Sequence, residues 1–292
     1  MKAISFGEIL WDVFPAKGIR TIGGAPLNVA GHIRKLGGES AVISGIGNDE
    51  LGRETRRIIQ GLNVSDRFVV TVPGCGTGRA DVSLKSGIPS YTFYYPAAWD
   101  MVRLGNAAEK ELFAEEYDVF IYGTLAQRNY VSKEMLRKIL NNIKAKEFFL
   151  DVNLRQHFYN DAILCESMQS ATILKINDEE LPIILKTCKC NDIKQIMEKY
   201  NLKIVILTCG KKGTYCYQQG ENDIYAEPAD VHVVDTVGAG DSLSAGFLYF
   251  YLTGNSVSDS LTKASLLADY VVQNNGAIPE YTTELKTVLG LL

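Results

Sequence analysis

Residues 232–242 read His-Val-Val-Asp-Thr-Val-Gly-Ala-Gly-Asp-Ser and run into the apolar stretch 243–252. The pattern predicts a strand that ends, a glycine-rich turn, and a helix that begins. Small residues at Gly238, Ala239 and Gly240 let the backbone approach an anion. The first N–H groups of a helix lack intrahelical partners, and together with the positive helix end they stabilise negative charge. Asp241 falls in the first helical turn beside that anion site. A carboxylate there can take the proton of an alcohol while the amides hold a phosphoryl group in transfer. A lone Gly-x-Gly-Asp is more often a helix cap in a tight turn, so the flanking sequence decides between the two.

Outward from this turn, short β-branched or apolar runs at 3–9, 40–45, 119–122, 148–152, 172–176 and 204–208 alternate with helix-like segments. One helix is predicted from near Pro26 to Gly37-Gly38, and others at 48–60, 132–144 and 178–186, the first two of these opened by capping residue types. Strands alternating with helices predict an α/β fold, a parallel sheet with helices on both faces. Two stretches break the rhythm. Residues 11–22 read as a pair of short strands, and 68–95 alternate like an antiparallel meander, with Ser83, Lys85 and Ser90 among Val82, Leu84, Ile88 and Tyr91. Glycines at 74, 76, 78 and 87 supply turns. Both insertions follow early βα units, so they are expected together over one end of the sheet as a small β-sheet lid. Residues 1–292 are expected to form a single domain with lid segments at about 11–22 and 68–98.

Composition narrows the function classes. The chain has 292 residues, 46% hydrophobic and 22% charged, which excludes disordered and low-complexity classes. A net charge of −4 without a dense basic run gives no electrostatic basis for binding nucleic acid or an anionic membrane. The six cysteines are scattered, and Cys188 and Cys190 have no second pair or nearby histidine to complete a zinc site. Glu8 arrives too early for a secretory signal, and the longest uncharged stretch, 242–258, is broken by hydroxyl residues and glycines. The expectation is a cytoplasmic protein whose partners are small molecules or other proteins.

A second segment, Ile-Gly-Gly-Ala-Pro-Leu-Asn-Val-Ala at 22–30, suits a small polyol. Gly23 and Gly24 expose bare backbone, Asn28 offers donor and acceptor to vicinal hydroxyls, and Asp12 follows the first strand, where open α/β sheets place ligands. A dinucleotide enzyme would need Gly-x-Gly-x-x-Gly after that strand, where the chain reads Leu10-Trp11-Asp12. Gly210-Lys211-Lys212-Gly213-Thr214 has neither the spacing nor the order of a phosphate-binding P-loop.

GGAPLNVAGHIRKLGG at 23–38 with GIGNDELG at 45–52, and DTVGAGD at 235–241, resemble the N- and C-terminal signatures of the ribokinase-like (PfkB-type) sugar-kinase family, and the resemblance runs nearly end to end. It implies the ribokinase-like fold, ATP as donor, bound Mg2+ and Asp241 as base at the Gly238-Ala239-Gly240 turn. Lys175-Ile176-Asn177-Asp178-Glu179-Glu180 resembles the family's Asn-x-x-Glu motif, which assigns Asn177 to the phosphates and Glu180 to the magnesium environment through water. Residues 208–213 resemble its nucleotide turn, implying Thr208, Gly210 and Gly213, and Asn275-Gly276-Ala277 its C-terminal nucleotide-side loop. Some relatives hold K+ between loops matching Asp235–Val237 and Gly276, which makes Asp235 a candidate for that ion's site.

Within the family, GEILWDVFP at 7–15, TFYYPAAWD at 92–100 and DVNLR at 151–155 are most similar to the fructokinase branch. Asp12, Gly23, Gly24 and Asn28 would then grip sugar hydroxyls, with Arg155 near the substrate or its phosphate. Gln156-His157 stands where that branch often has proline. The expected substrate is fructose. The alternatives are 2-keto-3-deoxygluconate, another small sugar or nucleoside, or a catalytically silent sugar- or nucleotide-binding relative. A keto-deoxy acid needs a cationic partner. Of Arg79, Arg103 and Arg155 only Arg155 has a family counterpart, which favours a neutral sugar. His32, His157 and His232 read as surface or packing residues, and Tyr91–Tyr95 as a sugar cover or plain packing. An isolated small sheet exposes an apolar face and two edges, so a homodimer through the lid is expected.

Overall fold

The computed structural model describes residues 1–15, 18–85 and 88–292, and of 82–85 and 88–91 the backbone alone. The Gly87 turn and the side-chain alternation from Val82 to Tyr91 lie outside the described residues. In chain order the strands are β1 (Lys2–Phe6), β2 (Leu10–Phe14), β3 (Ile19–Gly23), β4 (Glu39–Gly47), β5 (Val69–Val72), β6 (Gly78–Lys85), β7 (Ile88–Phe93), β8 (Glu116–Gly123), β9 (Lys144–Asp151), β10 (Ile173–Asn177), β11 (Ile204–Thr208), β12 (Thr214–Gln218) and β13 (Ile224–Ala226). The helices are α1 (Ala25–Leu36), α2 (Glu50–Gly61), α3 (Asn106–Ala114), α4 (Tyr130–Asn142), α5 (Asp161–Ser170), α6 (Leu181–Cys188), α7 (Ile193–Tyr200), α8 (Ala239–Leu252), α9 (Val257–Val272) and α10 (Thr283–Leu289).

Among the described residues the large sheet runs β13-β12-β11-β10-β9-β8-β1-β4-β5. It is parallel from β5 to β11 and ends in the antiparallel pairs β11/β12 and β12/β13. Its strands are apolar on both faces because both are covered. Ile4, Phe6, Phe120, Leu150 and Leu174 point into one core. Their neighbours Ala3, Val119, Ile121, Phe149 and Ile173 pack with Val29 and Ile33 of α1 and with Phe247 and Leu248 of α8 in the other. The period of two along each strand distributes these residues between the layers.

The small sheet, β3-β2-β6-β7, is separate. It combines antiparallel pairs with a parallel β2/β6 pair, so it is not a simple meander. Two ends of the expected 68–98 lid segment belong elsewhere. β5 lies parallel to β4 at the edge of the large sheet, because Phe68 and Val69 are buried there, and Ala97 is buried in the main core. The predicted strand before the glycine turn is also absent. Residues 227–238 are irregular, and the amides of Val234 and Asp235 donate instead to the Val272 carbonyl at the end of α9. Strand β1 stops at Phe6 rather than residue 9, since Gly7 turns the chain with φ 154°. Helix α2 is capped by Asp49 and α4 by Asn129, not by Asn48 and Ser132. Asp49 also accepts from the Thr77 amide and hydroxyl at 2.7 and 2.6 Å, tying the GIGNDELG segment to the base of β6. No helix of the described residues is long and apolar enough to cross a membrane.

Candidate active site

Strands β1, β8, β9, β10 and β11 all end on the same edge of the large sheet, where an open α/β sheet places its ligands. Helix α8 begins over that edge. Its N-cap, Gly238, has φ 81°, and a side chain there would meet the Ala277 carbonyl oxygen at 2.6 Å. The amides of Gly238, Gly240 and Asp241 donate to no atom of the described residues. Gly240 is exposed, so these amides and the positive helix end form an open anion cradle. The buried Lys175 ammonium lies directly below, 3.3 Å from where a side chain on Gly240 would begin.

Asp241 Oδ2 accepts a 2.7 Å hydrogen bond from Asn28 Nδ2 on α1. That bond engages the amide nitrogen of Asn28 and leaves its oxygen to accept from a ligand hydroxyl. Burial pushes the Asp241 carboxyl above the usual carboxylate range, and the neighbouring Asp151 charge adds to the rise, against the Asn28 bond and the Lys175 and Arg155 charges. Gly24, with φ 114°, admits no side chain because one would run into the Glu8 carbonyl. A side chain on Gly23 would approach Asp12 to 3.6 Å, so Asp12 on β2 faces the same cleft. Burial raises its carboxyl to about 6, with Arg155 opposing. Arg155 is exposed and acts on Asp12, Glu8 and Asp241.

Three further residues complete this cluster and escape sequence reasoning: Glu8, Asp151 and Lys175. Lys175 Nζ pairs with Asp151 Oδ2 at 2.7 Å, both side chains almost fully buried. Glu8 is 5% exposed and burial lifts its carboxyl to about 7. Among the described residues, Glu8, Asp12, Asp151, Glu180 and Asp241 therefore face only Lys175 and Arg155 as cations. The signal for Lys175 and Asp151 was available: each is a charged residue in a run of buried apolar ones, Asp151 at the ligand-bearing end of β9 and Lys175 midway along β10.

The nucleotide-side candidates gather on the neighbouring strands. Asn177 and Thr208 are register partners at the ends of β10 and β11. Asn177 Oδ1 accepts from the Glu179 and Glu180 amides at 3.0 and 2.8 Å. Glu180 accepts from the Leu154 and Asn177 amides at 2.7 and 2.9 Å, one on each carboxylate oxygen. Gly210 and Gly213 turn the chain between β11 and β12 with φ 51° and 86°. Asp235 accepts from Val237 N at 3.0 Å and Gly276 N at 3.1 Å, joining those two loops, while Asn275 beside them is exposed. Among the described residues no three His, Cys, Asp or Glu side chains form a metal cage. With its oxygens already engaged by amides, Glu180 fits a magnesium ion carried by phosphates and touched through water. His157 and His232 are exposed as expected. His32 is fully buried and hydrogen-bonded at both ring nitrogens. Arg79 is paired with Asp81 at 2.7 Å and stacks on Tyr94, so its charge is engaged outside the cluster.

A base candidate beside an open anion cradle fits an enzyme that phosphorylates hydroxyl groups, and comparison with known proteins makes the class specific. The model described as pfkB family carbohydrate kinase matches residues 16–284, and the chain belongs to that family of sugar kinases. Among curated relatives, probable fructokinase-3 of Arabidopsis thaliana is 28% identical, the match covering 98% of this chain and 90% of the relative. Among solved structures, a fructokinase with bound ATP from Xylella fastidiosa aligns with TM-score 0.84 at 20% identity, covering 99% of this chain and 97% of that one. A fructokinase from Vibrio cholerae, with fructose, ADP and calcium bound, aligns with TM-score 0.81 at 21% identity over 99% and 98% of the two chains. The fold is the ribokinase-like α/β fold.

Proposed function

We propose that this sugar kinase transfers the γ-phosphate of ATP to the terminal primary hydroxyl of fructose, with Asp241 as general base. The observation that carries the reading is the Asp241 carboxylate, held by Asn28 at 2.7 Å beside the unpaired amides of Gly238, Gly240 and Asp241. Asp12 and the free oxygen of Asn28 accept from the sugar hydroxyls, against the bare backbone at Gly23 and Gly24. Asp241 takes the proton of the hydroxyl and its raised carboxyl makes it a better acceptor than an ordinary aspartate. The 238–241 amides, with Lys175 below them, stabilise charge that develops on the transferred group. Arg155, at the cleft mouth, meets the phosphate. Asn177, Thr208, Gly210, Gly213, Asn275 and Gly276 form the nucleotide side. Magnesium, touched by Glu180 through water, supplies neutralisation of the triphosphate that a cluster rich in carboxylates lacks. The small sheet closes over both substrates and excludes water, which prevents hydrolysis of ATP.

A neutral sugar is favoured over 2-keto-3-deoxygluconate because, among the described residues, five carboxylates already share two cations, and Arg155 faces three of them. The Asp235 bridge between the 235–237 and 276 loops supports a potassium ion held by their carbonyls, and unchanged turnover on exchange of potassium for tetramethylammonium removes it. Ile19 on β3 and Tyr94 and Tyr95 beyond β7 are 52%, 49% and 59% exposed, which supports a homodimer through the small sheet. A monomer by light scattering at micromolar concentration refutes that dimer.

The test is Asp241→Asn. Folding and ATP binding stay near normal while turnover drops by at least on the order of a hundredfold. Near-normal turnover in the folded variant removes the base assignment. A panel of sugars assayed with ATP decides the substrate: higher kcat/KM for the keto-deoxy acid than for fructose, abolished by Arg155→Lys, overturns the neutral-sugar reading.

A further inference from the structure

Helix α1 supports the anion cradle at two places one turn apart, directly through Asn28 and by way of Ala277 through His32. Asn28 reaches Asp241. His32, four residues on and so on the same face, is fully buried, with Nε2 2.8 Å from the Ala277 carbonyl oxygen and Nδ1 2.6 Å from the Tyr281 hydroxyl. A carbonyl only accepts, so Nε2 carries the proton and Nδ1 accepts from Tyr281. The ring is neutral, its basicity lowered by burial. Ala277 in turn lies against Gly238, whose missing side chain is the space that the Ala277 backbone fills. The next residue back, Gly276, is held from the other side by Asp235. Segment 276–278 is thus clamped between α1 and the cradle, with Ile278 packed onto Gly31 of α1 and Lys35 paired with Glu280 at 2.6 Å.

We propose that His32 is a positioning residue for nucleotide binding. Its two hydrogen bonds set the height of Ala277, and Ala277 sets the height of the Gly238 turn on which the phosphates rest. The inference rests on the reading of 238–241 and 275–277 as the nucleotide side. A packing role alone would ask only for an apolar filler, whereas this ring satisfies a buried carbonyl that has no other donor among the described residues.

The experiment compares His32→Leu, His32→Gln and Tyr281→Phe with the unaltered protein. Three quantities are read: ATP affinity by calorimetry without sugar, the two KM values, and amide hydrogen exchange at 276–278 without any ligand. In His32→Leu, ATP affinity falls and the KM for ATP rises about tenfold, the KM for sugar stays within twofold, and exchange at 276–278 quickens. His32→Gln can donate to Ala277 and accept from Tyr281, and it restores the KM for ATP to within about threefold. If His32→Leu does not fold, Tyr281→Phe, which removes one hydroxyl, gives a smaller change in the same direction. Unchanged ATP affinity and unchanged exchange in folded His32→Leu overturn the proposal. So does Gln behaving as badly as Leu. Absence of ATP binding by the unaltered protein defeats the functional reading instead, and the exchange measurement then decides alone whether His32 holds the loop.

Discussion

Strand β1 has a glutamate near each end, and the two glutamates behave oppositely. At its start, Glu115 is within 2.7 Å of Lys2 and 2.6 Å of Arg67, and the Arg67 hydrogen bond leads in holding its carboxyl down at about 2. Past its end, the buried Glu8 has no cation within salt-bridge distance among the described residues, and burial lifts its carboxyl to about 7. The same division runs across the sheet. At the starting edge, Lys146 pairs with Asp118 and Lys203 with Glu147, both at 2.7 Å. At the finishing edge five carboxylates share Lys175 and Arg155. Charge at the first edge is matched pair by pair, with the lysine of each of these pairs exposed to water, where a pair costs little. At the second, apart from the buried Lys175–Asp151 pair, carboxylates outnumber cations and burial raises Glu8, Asp12 and Asp241, a state that stable folds avoid and ligand sites keep.

The sharpest way to break this contrast is at the one buried pair of the site. Lys175→Met leaves Asp151 buried without its cation and costs about 3–5 kcal/mol in urea unfolding, and a loss below about 1 kcal/mol would mean that water already screens the cluster. Pairing it with Asp151→Leu recovers most of the loss, since an apolar pair of similar volume replaces an ion pair at small cost.

Glu8→Gln tests the unmatched carboxyl through pH. The folded-state value of about 7 lies above the ordinary 4.5, so the folded protein binds more protons in that window. The stability this lends is complete below about 4.5 and is lost as the pH rises through 7. Glutamine stays neutral, so the variant gains on the unaltered protein by roughly 3 kcal/mol between pH 4.5 and 8. A pH-independent difference would place Glu8 in contact with bulk water. Glu115 runs the other way: its contribution is present above about 4.5 and fades as the pH falls toward 2. Glu115→Gln therefore loses stability at pH 7 relative to pH 2.5. The smallest effect belongs to Lys146→Ala at the starting edge. With its side chain 75% exposed, it changes stability by less than about 0.5 kcal/mol, and a larger loss would show that this edge is not merely a set of independent surface pairs.

Much of the finishing edge is legible in the chain itself. The alternation of apolar runs with helical segments determines the parallel sheet, since each strand must be covered on both faces. The glycine turn before an apolar helix determines the cradle, since only backbone without side chains can present its amides there. Asp241, Asn28, Asp12 and the 23–24 glycines sit at punctuation of this kind, and the small sheet follows from the break in rhythm at 11–22 and 68–95. What the tertiary structure decided is which charges meet. Lys175 and Asp151 belong to strands 24 residues apart in sequence, and Glu8, Asp12 and Arg155 come together only when the sheet is assembled. The boundary of the small sheet was decided there too. Residues 69–72 alternate as well as 78–93 do, and only the burial of Phe68 and Val69 against the main core assigns them to the other sheet. Local pattern governs backbone conformation because it depends on neighbours a few residues away. Charge balance and burial are sums over contacts between distant segments, so no single stretch of sequence contains them.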